Sequence, residues 1–247
     1  MFNKEFLTEK IPGYIALLLF ATILSGTLMF YSQSNLAGEV SDTTGFVFSL
    51  LSHSAGNPGF LISVCLLCLI PIALKLPKQQ ILKLLIQFGI LLALSFVAKT
   101  AMKHLTEVPR PYTYQLQALE IVESPDNFYQ LSAKQKDEAV RQAEGTVSHW
   151  RLSHWLGETN YSLPSGHTIF VAVCVTFWGG FFLRRKKLIP TAIIILWATS
   201  VGISRIWLGM HWPTDLIASL CGAAFLYLFV PEWGHKSMTS TQPTTSH

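Results

Sequence analysis

The chain has 247 residues and a formal net charge of +4; 50% of its residues are hydrophobic and only 13% are charged. Soluble domains carry about twice that charged fraction, so the composition excludes an ordinary soluble globular protein. The basic residues fall in short clusters between apolar runs and not along one polar face, which argues against nucleic acid as a partner. The composition predicts an all-α protein that crosses a membrane several times.

Six apolar runs come close to the ~20 residues that a helix needs to cross a bilayer. In chain order they cover about residues 13–31, 57–74, 84–102, 164–183, 188–206 and 213–230. The first run is too long for the core of a signal peptide, so an uncleaved span is expected. We expect residues 1–236 to form a single six-span membrane domain and residues 237–247, rich in Ser and Thr, to be a disordered tail.

The distribution of Lys and Arg predicts the orientation, because short basic loops stay in the cytoplasm. Basic clusters lie before the first run, at residues 75–83, at residues 184–187 and at Lys236. The connection over residues 32–56 contains no Lys or Arg and is therefore expected outside. Six spans with both termini in the cytoplasm satisfy every cluster.

The longest polar region, residues 103–163, is predicted to be a small helical insert on the outer side between spans three and four. Residues 132–143 begin with a capping-box pattern, which predicts a first helix. A second short helix is predicted over about residues 147–156, with Trp150 and Trp155. These tryptophans suit either a helix on the bilayer surface or the packing of a small cap outside it.

Three polar stretches interrupt the apolar pattern, and the predicted topology brings all three to the outer face. They are residues 103–111 after span three, residues 164–167 at the start of span four, and residues 204–215 between spans five and six. Charges at the edge of a span are costly and therefore indicate a function. Each stretch alone has a structural alternative, a side chain that reaches the membrane surface or an ordinary helix start.

The side chains of these stretches suit a phosphate group. Lys103, Arg110 and Arg205 offer charged donors for phosphate oxygens. Pro164 suits the first position of a helix, which leaves the amides of Ser165 and Gly166 free as an anion site. The remaining polar groups of the motifs are two histidines and one aspartate.

Asp215 follows His211 by one helical turn, so its carboxylate can fix the tautomer of that imidazole and leave the other nitrogen free to attack. His167 and His211 can then divide the roles of acid and nucleophile. Lys99, inside span three, is expected to reach toward the membrane surface, and His53 and His154 are expected to be loop histidines without a role.

Three motifs in this order resemble the signatures of the type 2 phosphatidic acid phosphatase family, which also contains vanadium haloperoxidases, glucose-6-phosphatase and bacterial acid phosphatases. The motifs are Lys103-x6-Arg110-Pro111, Pro164-Ser165-Gly166-His167 and Ser204-Arg205-x5-His211-x3-Asp215. Their flanks, including residues 107–111 and 208–213, resemble the bacterial members that act on phosphatidylglycerol phosphate. The resemblance implies a helical core like that of the haloperoxidases and a bacterial inner membrane location, with the site facing the periplasm.

The resemblance also implies a lipid phosphatase that needs neither a metal nor another cofactor. His211 would attack the terminal phosphorus and form a phosphohistidine, Asp215 would orient it, and His167 would act as general acid and base. The implied phosphate-binding residues are Lys103, Arg110, Ser165, Gly166 and Arg205.

The implied partners are the lipid bilayer and a membrane lipid phosphate, and no obligate protein partner is indicated. Substrates would be phosphatidylglycerol phosphate and undecaprenyl pyrophosphate, with phosphatidic acid and diacylglycerol pyrophosphate also open. An outward-facing site favours undecaprenyl pyrophosphate, whereas phosphatidylglycerol phosphate is made at the inner leaflet. A lipid phosphotransferase with the same phosphohistidine is the alternative. A transporter is a remote one, because the charges cluster at one face and not at the midplane.

Overall fold

The structure, a computed structural model, describes residues 4–30 and 36–232. These residues form helices without a named strand, as the composition predicts. The helices are α1 (Lys4–Met29), α2 (Asp42–Ser54), α3 (Phe60–Ala73), α4 (Lys78–Thr106), α5 (Pro111–Ala118), α6 (Pro125–Gln130), α7 (Ala133–Arg141), α8 (His149–Trp155), α9 (Gly166–Cys174), α10 (Gly180–Arg184), α11 (Leu188–Trp207) and α12 (Pro213–Phe229). The predicted tail, residues 237–247, and the basic residue Lys236 lie outside the described residues.

Four helical segments are long and apolar enough to cross a membrane. They are Phe6–Met29, Lys78–Thr106, Gly166–Arg184 and Leu188–Trp207. The other two predicted spans correspond to α3 and α12, which are apolar helices of 14 and 17 residues. The chain is thus a helical membrane protein, and the six-span topology stays a prediction.

Helix α2 lies in a connection that the sequence analysis treats only as polar. Ser41 begins the helix, because its Oγ accepts a hydrogen bond from the backbone N of Thr44 at 3.3 Å. One face of α2 exposes Phe46 and Leu50, and the opposite face buries Ser52. With 13 residues α2 is too short to cross a bilayer, and its buried face is polar, so it has no long apolar run to identify it.

The polar region after α4 contains four short helices, α5 to α8. The capping box at Ser132 is present and begins α7. Trp155 is completely buried in the cluster that these helices form, and its Nε1 donates to the carbonyl oxygen of Leu208 at 2.7 Å. Trp150 instead lies against α2, where its Nε1 donates to Asp42 Oδ1 at 3.1 Å. Of the two alternatives for these tryptophans, the structure supports packing in a cap for Trp155.

Helix-breaking residues bring the ends of four helices to one side of the bundle. Helix α4 ends before Glu107, whose φ of 47° is left-handed, and two prolines follow. Helix α11 ends before Gly209 at φ 71°, and Pro213 begins α12. Helix α9 starts on the same side and packs against α4, α11 and α12. The three polar stretches follow or precede these breaks, so they meet.

A turn of π-helix, Val175–Gly179, joins α9 to α10 at the crossing with α1. A Cβ on Gly180 would lie 2.7 Å from the Cα of Gly13 in α1, so only a glycine allows the two backbones this close approach. Small residues at a crossing let membrane helices gain van der Waals contact. The close crossing attaches α1 to the centre of the bundle.

At the end of the bundle away from the polar stretches, a buried carboxylate joins two cations. Glu232 Oε1 lies 3.3 Å from Lys10 Nζ, and Glu232 Oε2 lies 3.3 Å from Arg184 Nη2. The side chains of Lys10 and Glu232 are each 1% exposed, and Lys10 also donates to the carbonyl oxygen of Val230. Removing one partner of such a pair leaves an uncompensated buried charge.

We therefore expect Glu232→Gln to destabilise the protein by about 3–5 kcal/mol, because Lys10 and Arg184 would both lose their carboxylate. Thermal unfolding of the detergent-purified protein measures this. The control is Glu144→Gln at an exposed carboxylate, which should leave the unfolding temperature unchanged. Equal unfolding temperatures for the two variants would show that the buried cluster contributes nothing to stability.

Candidate active site

The three polar stretches surround a cavity of about 710 Å³. Apolar side chains from α3, α4 and α9, such as Phe60, Leu92 and Phe170, line much of its wall. The charged and polar lining side chains include Lys99, Lys103, Arg110, Glu158, Asn160, His167 and His211. A single cavity thus offers both an apolar wall and cationic groups, which suits an amphipathic anion.

His211 lies in the turn between α11 and α12, and Asp215 lies in the first turn of α12. Asp215 Oδ2 lies 3.2 Å from His211 Nδ1 and accepts a hydrogen bond from the backbone N of Trp212 at 2.8 Å. His211 is 2% exposed and Asp215 is fully buried. The carboxylate favours the tautomer that carries its hydrogen on Nδ1, which leaves the lone pair on Nε2.

The surroundings of His211 keep its imidazole neutral. Burial, and after it the charges of Arg110 and Arg205, hold the pKa of His211 well below the ordinary histidine value. A protonated imidazole has no free lone pair, so a lowered pKa keeps the ring in the form that can act as a nucleophile.

Arg110, predicted as a phosphate ligand, lies beside Nε2 of this histidine. Its Nη1 is 3.4 Å from His211 Nε2 and donates to the carbonyl oxygen of Met210 at 3.0 Å. Its Nη2 forms an ion pair with Glu158 Oε2 at 3.0 Å, and its Nε donates to the carbonyl oxygen of Asn160 at 2.7 Å. The guanidinium is therefore fixed next to any phosphorus that His211 could attack.

Arg205 of α11 is 1% exposed and close enough to His211 for its charge to act on that imidazole. Its Nη1 donates to Ser52 Oγ at 2.6 Å. Its Nε and Nη2 have no hydrogen-bond partner among the described residues. Two adjacent buried donors without an acceptor are rare in a folded protein and indicate the place of a ligand or of water.

Two lysines of α4 line the cavity, one turn apart. Lys103 Nζ donates to the carbonyl oxygen of Tyr161 at 2.5 Å and to Asn160 Oδ1 at 3.1 Å. Lys99 Nζ lies 4.6 Å from the ring centroid of Phe96 and faces the start of α9. The sequence assigns Lys99 only to the membrane surface, whereas the structure places it in the cavity wall.

The start of α9 contributes Gly166 and His167 to the cavity wall, but the Ser165 side chain has a structural role. Ser165 Oγ caps α9 by accepting from the backbone N of Thr168 at 3.3 Å. Its backbone oxygen accepts from Ser219 Oγ of α12 at 3.1 Å. These bonds fix the helix start from which His167 projects.

His53 and His154, read from the sequence as loop histidines, are part of helical packing beside the site. His154 lies in α8, with its Nε2 2.9 Å from Ser49 Oγ, and its ring stacks on His53 at 4.6 Å between centroids. Burial, followed by the charge of Arg205, lowers the pKa of His154 to about 3. Both rings stay uncharged next to the arginine at neutral pH.

Three residues that hold the two arginines lie outside the three motifs: Ser52, Glu158 and Asn160. Glu158 and Asn160 lie in a polar loop shortly before the Pro-Ser-Gly-His stretch. Their closeness to this motif in the sequence is the one feature that could have indicated a role in the site. Ser52 is 153 residues away from Arg205, and no local pattern links them. No group of three His, Cys, Asp or Glu side chains that could hold a metal ion occurs within residues 4–30 and 36–232.

Comparison with known proteins gives the same assignment as the motifs. The model of the PAP2 superfamily matches residues 84–239, which contain all three polar stretches. The phosphatidylglycerophosphatase B of Haemophilus influenzae is 34% identical over 180 residues, which cover 69% of this chain and 73% of that protein.

Two further relatives with the same name match over shorter stretches. The phosphatidylglycerophosphatase B of Escherichia coli K12 is 34% identical over 138 residues, or 54% of its length. That of Bacillus subtilis is 31% identical over 85 residues, or 42% of its length. The chain thus spans about half of these two relatives, and it belongs to the PAP2 superfamily.

Proposed function

We propose that this membrane protein of the PAP2 superfamily removes the terminal phosphate of lipid phosphates through a phosphohistidine on His211. The observation that carries the proposal is the buried His211–Asp215 pair at a largely apolar cavity, where Nε2 of His211 lies 3.4 Å from Arg110 Nη1. The proposed nucleophile, the carboxylate that orients it and an arginine that can bind phosphate are thus close together in one site.

In the first step the Nε2 lone pair of His211 forms a bond to the terminal phosphorus, and the bond from phosphorus to the lipid oxygen breaks. His167 gives its proton to that oxygen, so the lipid leaves as an alcohol or, from a diphosphate, as a monophosphate. In the second step His167 takes a proton from water, and the hydroxide oxygen attacks the phosphorus. The bond between phosphorus and His211 Nε2 breaks as the new phosphorus–oxygen bond forms, its electron pair returns to Nε2, and inorganic phosphate leaves.

The cations stabilise the charge that develops on the transferred phosphoryl group. Arg110 and Lys103 lie in the cavity wall, and the charge of Arg205 also acts on His211. The backbone at Gly166 lies at the positive end of α9 and suits a third phosphate oxygen. Such donors are fixed before the reaction, so no reorganisation is needed when the charge forms.

The apolar walls suit the chains of a lipid, and the relatives' name makes phosphatidylglycerol phosphate the first substrate to test. Undecaprenyl pyrophosphate, phosphatidic acid and diacylglycerol pyrophosphate carry the same terminal phosphate and fit the same chemistry. We propose a bacterial inner membrane location, with both termini in the cytoplasm and the site facing the periplasm, on the basis of the Lys and Arg distribution.

We expect His211→Ala to lower phosphate release from phosphatidylglycerol phosphate at least about a thousandfold, because the variant lacks the proposed nucleophile. Malachite-green assays of detergent-purified protein, run with EDTA, measure this. His149→Ala, at an exposed histidine, is the matched control and should keep wild-type activity. Running undecaprenyl pyrophosphate in parallel compares the two lipids, and equal activity of the two variants would contradict the assigned nucleophile.

The lowered pKa of His211 also predicts the pH profile. His211 must be neutral to attack, and a lowered pKa delays its protonation, so the acid limb of kcat/KM should lie well below pH 6.5. In Arg110→Met one repulsive charge is lost, so the acid limb should move toward higher pH. Arg110→Lys keeps the charge and should lose rate without this shift.

The titration of the lipid phosphate itself is the same for all three proteins and therefore cancels in the comparison. Profiles of kcat/KM that differ only in height, with superimposable acid limbs for Arg110→Met and Arg110→Lys, would show that the Arg110 charge does not set the protonation of His211.

A further inference from the structure

We propose that Ser52 of α2 and the turn after this helix form a fourth part of the active site, in which Ser52 positions Arg205 and Gly56 fixes the place of His167. This segment precedes residues 84–239, the part of the chain that matches the superfamily model. The inference rests on the proposed function, because it gives both residues a task in phosphate binding and transfer.

The Ser52 hydroxyl occupies one edge of the Arg205 guanidinium with a hydrogen bond. It accepts from Nη1 at 2.6 Å, and both residues are at most 1% exposed. The other edge carries Nε and Nη2, which have no partner among the described residues. These two donors point the same way and match two oxygens of a phosphate. Ser52 thus orients the arginine so that its two-donor edge stays available.

Helix α2 is itself fixed to the elements that carry the site. Phe48 of α2 stacks on Trp207, two residues after Arg205 in α11, at 4.6 Å between ring centroids and an interplanar angle of 14°. Ser49 Oγ lies 2.9 Å from Nε2 of His154 in α8. The position of Ser52 relative to Arg205 is therefore set by packing on two sides.

Gly56, two residues after α2, lies directly against the second catalytic histidine. A Cβ at Gly56 would lie 2.1 Å from His167 Nε2, which no real contact allows. The backbone φ of Gly56 is not left-handed, so the need for glycine here is one of space. Because Ala55, Gly56, Asn57 and Pro58 also line the cavity, this turn forms the wall against which His167 rests.

Substitutions at the two residues should change different constants, the inhibition constant for phosphate at Ser52 and kcat at Gly56. Ser52→Ala should weaken competitive inhibition by inorganic phosphate about tenfold, because a positioned hydrogen bond to a charged group is lost. Gly56→Ala should lower kcat about tenfold or more, because the methyl displaces His167, while inhibition by phosphate stays within about twofold of wild type. A general loosening of the fold would change both quantities in both variants.

Ser54→Ala is the matched control. Ser54 Oγ also accepts a partly buried hydrogen bond, from Trp197 Nε1 at 2.9 Å, but Ser54 makes no hydrogen bond to Arg205. It should keep the wild-type inhibition constant for phosphate. If Ser52→Ala does not fold, Ser52→Cys preserves the volume with a much weaker acceptor and should show the same loss. Thermal unfolding in detergent establishes that each variant is folded.

The outcomes separate this inference from the function on which it rests. A wild-type protein that releases no phosphate from any of the lipids would overturn the proposed function. Wild-type release together with unchanged phosphate inhibition in folded Ser52→Ala and Ser52→Cys would overturn the role of Ser52. Unchanged kcat in Gly56→Ala would overturn the role of the turn.

Discussion

Burying two guanidinium groups beside a neutral histidine is the constraint on which the rest of the structure depends. A buried charge is costly unless its hydrogen-bonding groups are occupied. Arg110 satisfies this with Glu158, Asn160 and a backbone carbonyl, whereas Arg205 binds Ser52 and has two donors without a partner within residues 4–30 and 36–232. The loop before α9 supplies Glu158 and Asn160 to Arg110, and helix α2 supplies Ser52 to Arg205. These elements must therefore lie next to the two arginines.

Much of the site is predictable because local signals place it. Prolines and a glycine end the helices, and the three motifs lie next to those breaks, so the topology alone brings Lys103, His167 and His211 to one face. The interactions that hold these residues are not predictable in this way, because they join distant parts of the chain. Ser52 meets Arg205 through the packing of α2 on α11, and nothing in either local sequence records it.

The membrane spans and the side of each helix that faces its neighbours are likewise only partly predictable from local sequence. Apolar length identifies four membrane helices, but it says less about α3 and α12, which fall below that length. The side of α4 that Lys99 occupies depends on which helices pack beside it and not on the composition of α4. Periodicity is weak in such a helix, because lipid and neighbouring helices are both apolar.

The ion cluster at the far end of the bundle has a consequence for how the chain assembles. Lys10 and Glu232 are 222 residues apart, so the first helix receives its carboxylate partner from the segment after α12. Synthesis starts at the N-terminus, and the cations of α1 and α10 therefore enter the membrane region before Glu232 exists. The ion cluster can therefore form only after the chain has been synthesised beyond α12, whereas the packing of α1 against α10 and α11 does not require Glu232.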